Sequence, residues 1–274
     1  MTIATPDFEY LATLISERTG NVIRPSQDYL LESRLSGLIR ELKLDSIDAL
    51  LQELRKLDSE PLKARVADAM TINETSFFRD PPVFDTLKDE VLPALIQARQ
   101  ATRRIDIWCA ASSSGQEPYS IAILLKEHFP QLDPWNIRIL CTDYSQRMVD
   151  RTREGKYSQF EANRGLPARL LATYFDRQGL NWVARDELKR MMDCRVCNLT
   201  QPWRDIPTVD LVMMRNVLIY FDKPIKEQVL RQTRNVIRED GFLFLGGGET
   251  LINLDVPFRG ESHMNTPVYR PCAL

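Results

Sequence analysis

Ile105-Asp106-Ile107-Trp108-Cys109 runs directly into Ala110-Ala111-Ser112-Ser113-Ser114-Gly115-Gln116-Glu117-Pro118-Tyr119-Ser120. The first five residues form a short apolar run that predicts a buried strand. The small residues after it let backbone approach a ligand closely, and Pro118 suits the opening turn of a helix. The same grammar recurs downstream. Further strands are expected at Ile137-Arg138-Ile139-Leu140-Cys141, at Val209-Asp210-Leu211-Val212-Met213-Met214 and from Gly241 to Leu245. Helices are expected from Glu117 to His128, from Ser145 to Arg153 and from Lys223 to Arg238, the last with Pro224 early in it. Alternation of this kind predicts crossover units, hence a mostly parallel, doubly wound α/β sheet.

Between the second and third of these strands lies an insert, Gly155 to Asn198. It holds a helical run, Pro167 to Phe175, and three short runs, Asn181–Ala184, Glu187–Met191 and Asp193–Cys197, expected to pair as a small antiparallel sheet. The tail from Gly260 to Leu274 reads as a final antiparallel strand through Val268 and Tyr269. Upstream, residues 1–70 repeat apolar positions at helical spacing: Phe8, Leu11, Leu14 and Ile15, then Leu30, Leu31, Leu35 and Leu38, then Leu50, Leu51 and Leu54. The stretch around Leu44-Asp45-Ser46 offers an N-cap to the third helix and Pro61 opens a fourth. The expected organisation is a helical domain (1–70), a linker (71–82) and an α/β domain (83–274) with its β-subdomain insert at about 176–197. A length of 274 residues suits two domains better than the single-domain mode of about 100–150.

Composition narrows the function. No stretch approaches the ~20 apolar residues of a membrane span, and the N-terminus lacks an export signal, so a soluble, cytoplasmic protein is expected. Five scattered cysteines imply no disulfide framework, and Cys194-Arg195-Val196-Cys197 alone is too little for a four-ligand zinc site. A net charge of −2 disfavours nucleic acid and anionic lipid as general partners.

Open parallel sheets bind ligands beyond the carboxyl ends of their strands. The turn after the first strand has one glycine, Gly115, so it is not a G-x-G-x-x-G loop, and Glu117 would repel a pyrophosphate. A carboxylate there can instead face a sulfonium or ammonium group, both of which S-adenosylmethionine carries. Asp143 ends the second strand, where an acidic residue pairs with ribose hydroxyls; it would equally cap the helix starting near Ser145. The third strand delivers Arg215, Asn216 and Tyr220 to the same end, which reads as a substrate pocket. Upstream, Asn73-Glu74-Thr75-Ser76-Phe77-Phe78-Arg79-Asp80 combines polar groups with two aromatics. Phe77 and Phe78 could equally be core, with Arg79 paired to Asp80 or Glu74.

Three stretches together resemble the chemotaxis receptor glutamate O-methyltransferases: residues 73–79, residues 111–120, and Arg215-Asn216-Val217-Leu218-Ile219-Tyr220-Phe221. The resemblance runs from the N-terminal helices to Gly246-Gly247-Gly248-Glu249. It implies an all-helical N-terminal domain, a Rossmann-like methyltransferase sheet and an inserted antiparallel β subdomain. It implies S-adenosyl-L-methionine as cofactor and S-adenosyl-L-homocysteine as product, with contacts from Asn73, Thr75, Arg79, Glu117, Asp143, Asn198, Leu199, Arg215 and Asn216. Arg79 would then face the methionyl carboxylate, and Tyr220 would stand beside the transferring methyl.

The resemblance also implies a substrate, the glutamate side chains on cytoplasmic helices of methyl-accepting chemotaxis receptors, esterified for sensory adaptation. A carboxylate with a reference pKa of about 4.3 is already a nucleophile at neutral pH, so no general base is needed. The two histidines, His128 and His263, are expected to be bystanders, and Arg215 or Tyr220 to hold the incoming carboxylate. Receptor recognition would fall to Arg34 and Arg40 on the second helix, where Gly37 and Leu38 replace arginines common in the family; Arg24 and Lys43 lie nearby. The loop Asp176-Arg177-Gln178-Gly179 is shorter than in members that dock a receptor's C-terminal tether, so tether binding is not expected. The rival from another class is a non-catalytic S-adenosylmethionine-sensing adaptor.

Overall fold

The computed structural model describes residues 3–272, so residues 1–2 of the expected helical domain and 273–274 of the expected tail lie outside it. Contacts divide the chain into two units, Met1–Ile72 with Tyr220–Lys226, and Asn73–Ile219 with Glu227–Leu274.

The first unit contains α1 (Thr5–Thr19), α2 (Asp28–Glu41), α3 (Ile47–Leu54) and α4 (Glu60–Ala69). Their apolar stripes close on one core: Leu11, Ile15, Leu31, Leu35, Leu50, Leu51 and Val66 are all essentially withdrawn from solvent. The caps follow local chemistry. Gly20 takes a left-handed conformation (φ 78°) that ends α1, and Ser46 accepts the Ala49 N–H to start α3. The Tyr220 carbonyl accepts from the Val22 N–H at 3.0 Å, which joins 220–226 to this unit.

The second unit opens with α5 (Pro81–Thr86), a π-helical turn (Leu87–Val91) and α6 (Leu92–Ala98). The sheet then follows as β1 (Arg104–Ala110), α7 (Gln116–His128), β2 (Asn136–Asp143) and α8 (Gln146–Glu154). The insert supplies β3 (Lys156–Ser158), α9 (Gln159–Asn163), α10 (Ala168–Tyr174), β4 (Phe175–Gln178), β5 (Asn181–Ala184), α11 (Asp186–Lys189) and β6 (Met192–Val196). The chain closes with β7 (Val209–Met214), α12 (Lys223–Val236), β8 (Ile237–Leu245), β9 (Phe258–His263) and β10 (Thr266–Pro271). The seven-stranded sheet has the order β6-β2-β1-β7-β8-β10-β9, with only β10 running antiparallel to the other strands. Strand order therefore reverses between β1 and β7, and the crevice for a ligand lies there. β7 is buried at all six positions, as a strand covered on both faces must be.

Two short runs settle differently from expectation. Glu187–Met191 is not a strand, because 186–189 turn as α11. Asp193–Cys197 does not join the small sheet, because β6 pairs in parallel with β2, placing Cys194 opposite Cys141. The antiparallel sheet is instead β3-β5-β4 and draws on Lys156–Ser158 and Phe175–Gln178. Which partner a short strand finds depends on distant apolar surface, and β6 buries part of Met192 and Cys194 against the main core. The tail holds two strands, joined by Met264 and Asn265, both at positive φ (47° and 62°) as a two-residue hairpin turn requires.

Buried acids inside two strands are explained at the amino end of the sheet. Asp210, 1% exposed, accepts from Arg99 (2.7 Å), Arg238 (2.9 Å) and the Asp106 backbone N–H (2.7 Å). Removing one partner of a buried ion pair strands the other. Asp210→Ala is therefore expected to lower the unfolding free energy of the sheet unit by about 3–5 kcal/mol, measured by urea denaturation.

At the β9 end, His263 meets Glu90 at 2.5 Å and Glu261 at 3.3 Å. Burial alone would lower its pKa, but the two carboxylates outweigh burial and raise it above 6.5. A raised folded-state value contributes stability that is complete below the unfolded value and is lost as pH climbs through the folded one. The stability lost in His263→Gln should accordingly be larger at pH 6 than at pH 9 in denaturant titrations.

Candidate functional site

The turn after β1 is built from alternate left-handed residues, Ala111 (φ 55°), Ser113 (φ 52°) and Gly115 (φ 94°). A side chain at Gly115 would come within 2.9 Å of the Thr152 side chain and the Tyr157 hydroxyl, so only glycine fits. This folding brings the Ser113 N–H to Asp143 Oδ2 at 2.9 Å, while Asp143 Oδ1 accepts the Ser145 N–H at 2.9 Å. Asp143 thus braces the β1 turn and the residue that precedes α8; the N-cap of that helix is Ser145, with no side-chain cap bond, so Asp143 does not cap it as the sequence had also allowed. The Ser113 hydroxyl donates to the Asn73 carbonyl at 2.8 Å, and the Cys197 N–H to the Asp143 carbonyl at 2.9 Å. One hydrogen-bonded chain therefore gathers Asn73, Asp143 and the segment entering Asn198 and Leu199. Asn198 Oδ1 accepts from the backbone and hydroxyl of Thr200, which holds its loop.

A second chain is ionic. The Arg215 side chain is 1% exposed; its Nη1 donates to Glu117 at 2.7 Å, and its Nη2 to Asp80 at 2.5 Å and the Arg79 carbonyl at 2.9 Å. Sequence reasoning had offered Asp80 to Arg79, but Asp80 goes to Arg215, and Arg79 donates to the Glu74 carbonyl at 3.3 Å. Phe77 is core, edge-on to Tyr157 at 5.0 Å and Phe175 at 5.8 Å, and it anchors the strap of residues 73–79 that also carries half-buried Thr75.

Four buried polar atoms in these segments have no hydrogen-bond partner among the described residues: Ser112 Oγ, Ser145 Oγ, Arg215 Nε and Asn216 Oδ1. Buried polar groups are rarely left so, and their clustering at the carboxyl ends of β1, β2 and β7 marks a cradle for a polar ligand. The cradle fits S-adenosylmethionine: acceptors at Asp143 for ribose hydroxyls, a carboxylate at Glu117 beside a cationic group, and small residues allowing close approach.

Residues 6–71 match the CheR methyltransferase all-alpha domain, and residues 73–265 match the CheR methyltransferase SAM binding domain. The chain belongs to the CheR methyltransferase family. Chemotaxis protein methyltransferase 1 of Pseudomonas aeruginosa is 36% identical over 93% of both chains. Chemotaxis protein methyltransferase 1 of Vibrio cholerae is 36% identical over 94% of both. Among solved structures, a TehB-like SAM-dependent methyltransferase from Corynebacterium glutamicum aligns at a TM-score of 0.39, with 13% identity, over 67% of this chain and 89% of that one. S-adenosylmethionine is the methyltransferase's cofactor.

The structure thus draws Asn73, Arg79, Glu117, Asp143, Asn198, Leu199, Arg215 and Asn216 to the carboxyl-end segments. Tyr220, four residues beyond Asn216, groups with the helical unit. Arg34 and Arg40 also lie in that unit; Arg34 is half-buried and donates to the Met70 carbonyl at 3.0 Å, whereas Arg40 is exposed. Sequence reasoning missed Asp80, Ser113 and Glu249 as site residues. Only the unusual density of acids and small residues around them hinted at their roles. A separate cleft of about 880 Å³ lies at the amino ends of the strands, lined by Arg99, Arg104, Arg234 and Arg238. Each of those guanidiniums is paired with an acid.

Asp143 accepts from both the β1 turn and the entry to α8, so the cradle's shape depends on it. Asp143→Ala should weaken S-adenosylhomocysteine binding by about 100-fold in calorimetry, the loss of charge-assisted hydrogen bonds, while far-ultraviolet circular dichroism stays unchanged.

Proposed function

We propose that this methyltransferase acts in the cytoplasm on methyl-accepting chemotaxis receptors, esterifying glutamate side chains of their cytoplasmic helices. It would thereby serve sensory adaptation as a protein-glutamate O-methyltransferase. The observation that carries the reading is the cofactor cradle at the carboxyl ends of β1, β2 and β7 in a chain that matches the family over both of its domains. The relatives' name, chemotaxis protein methyltransferase, supports the receptor as substrate.

The cofactor, when bound, supplies an electrophilic methyl on a sulfonium centre. The protein's work is then positioning and exclusion of water. Asp143 holds the ribose, Arg79 faces the methionyl carboxylate, and Asn73, Thr75, Asn198, Leu199 and Asn216 line the remaining contacts. Arg215 has both terminal nitrogens committed to Glu117, Asp80 and the Arg79 carbonyl, so it braces the cradle and the Tyr220 hydroxyl steadies the incoming carboxylate. No base is required, since a glutamate is ionised at neutral pH. His263, held by Glu90 and Glu261, and His128, at the end of α7, take no part. Orientation of this kind supplies several kcal/mol of the barrier reduction. Arg40 is the exposed cation of the second helix offered to acidic receptor helices, together with half-buried Arg34.

The β4–β5 connection is only Gly179-Leu180, and recognition is assigned to the methylation helices, without a tether. In an assay with labelled S-adenosylmethionine and receptor-containing membranes, label should enter the receptor and leave as methanol in mild alkali. Rates should be equal with and without the receptor's C-terminal tether. Tyr220→Phe should slow turnover by about 100-fold with cofactor affinity retained. Alkali-stable label would overturn the ester chemistry, and tight cofactor binding without any transfer would favour a non-catalytic adaptor.

A further inference from the structure

Beyond Met214 and Leu245 the parallel pairing of β7 with β8 ends. A single side chain takes up three N–H groups there. Glu249 Oε2 accepts the Gly246 N–H at 2.6 Å and the Asn216 N–H at 2.8 Å, while Oε1 accepts the Ile219 N–H at 3.1 Å. Charge-assisted bonds of this type are shorter and stronger than neutral ones. Gly246 is required for the approach, because a Cβ there would lie 2.5 Å from Asn216 Nδ2 and 2.8 Å from Glu249 Oε2. Asn216 is held at φ 59°, a conformation that needs support for any residue but glycine. Its Oδ1 is buried and has no hydrogen-bond partner among the described residues.

We propose that Glu249 is a positioning residue of the methyl-transfer site. Its carboxylate holds Asn216 left-handed, so that the amide is presented to the cofactor, and pins Ile219, the residue from which the chain enters Tyr220. The proposal rests on the cofactor role given to Asn216 under the proposed function. It accounts for an acid placed after three glycines, which neither the sheet nor the core requires.

Binding of S-adenosylhomocysteine to the full-length protein is the readout, measured by calorimetry for wild type, Glu249→Gln, Asn216→Ala and the double variant, with urea midpoints taken in parallel. Glu249→Gln replaces one acceptor oxygen with an NH2 group that opposes the backbone donors. It should raise Kd about 10-fold, as should Asn216→Ala, and the double variant should bind no more weakly than Asn216→Ala alone. Additive losses, or a Glu249→Gln variant whose Kd is unchanged while Asn216→Ala weakens binding, would overturn the positioning role and leave the cradle standing. If Asn216→Ala binds like the wild type, the amide has no cofactor role and the proposal falls with it. Receptor is absent from this measurement, so a failure of receptor methylation is distinguishable from a failure of positioning.

Discussion

Arg215 closes β7 with its side chain almost wholly out of water, and its charge is balanced by Glu117 at 2.7 Å and Asp80 at 2.5 Å. Taking a guanidinium out of water is costly unless carboxylates and carbonyls replace the lost hydration. The consequence reaches three separated stretches of chain. α7 must begin beside β7 so that Glu117 arrives, and the segment through Arg79 and Asp80 must cross the same end of the sheet. The positive φ angles of Phe78 (47°) and Asp80 (59°) are tolerated because Phe77 is buried on one side of the segment and Arg215 grips the other.

Asp143 does comparable work at the neighbouring strand end, but with backbone donors in place of ions. By accepting from Ser113 and Ser145 it organises the β1 turn before any ligand arrives. Groups fixed in this way need little reorganisation on binding. The amino end of the sheet shows the contrasting use of charge. There Asp106 and Asp210 are buried acids, each held by arginines across neighbouring segments.

Much of this was legible from local pattern. The apolar positions read at helical spacing fall on α1, α2 and α3 of the first unit, and the strand from Val209 to Met214 was read at its observed bounds. The turn at 110–120 and the acid at 143 could be placed because a buried strand must surrender its polar ends at the sheet's edge. The short runs were harder. Glu187–Met191 and Asp193–Cys197 carry too few residues for periodicity to separate helix from strand, and nothing local says which sheet a four-residue strand will join. The partner of Asp80 was equally hidden, since Arg79 is adjacent in sequence whereas Arg215 is 135 residues away.

By itself the sequence determined the fold class, the alternation of the main sheet's strands and helices and the family, because apolar periodicity and small-residue turns act over a few residues. Only the tertiary structure decided that Asp80 and Glu117 share Arg215, that one carboxylate at Glu249 gathers three N–H groups, and that Arg34 spends a donor on the Met70 carbonyl. Those choices arise from burial. Once water is excluded, each charge and each N–H must find whichever partner the packed chain brings within about 3 Å, and that partner is set by the topology of the sheet, not by nearness in sequence.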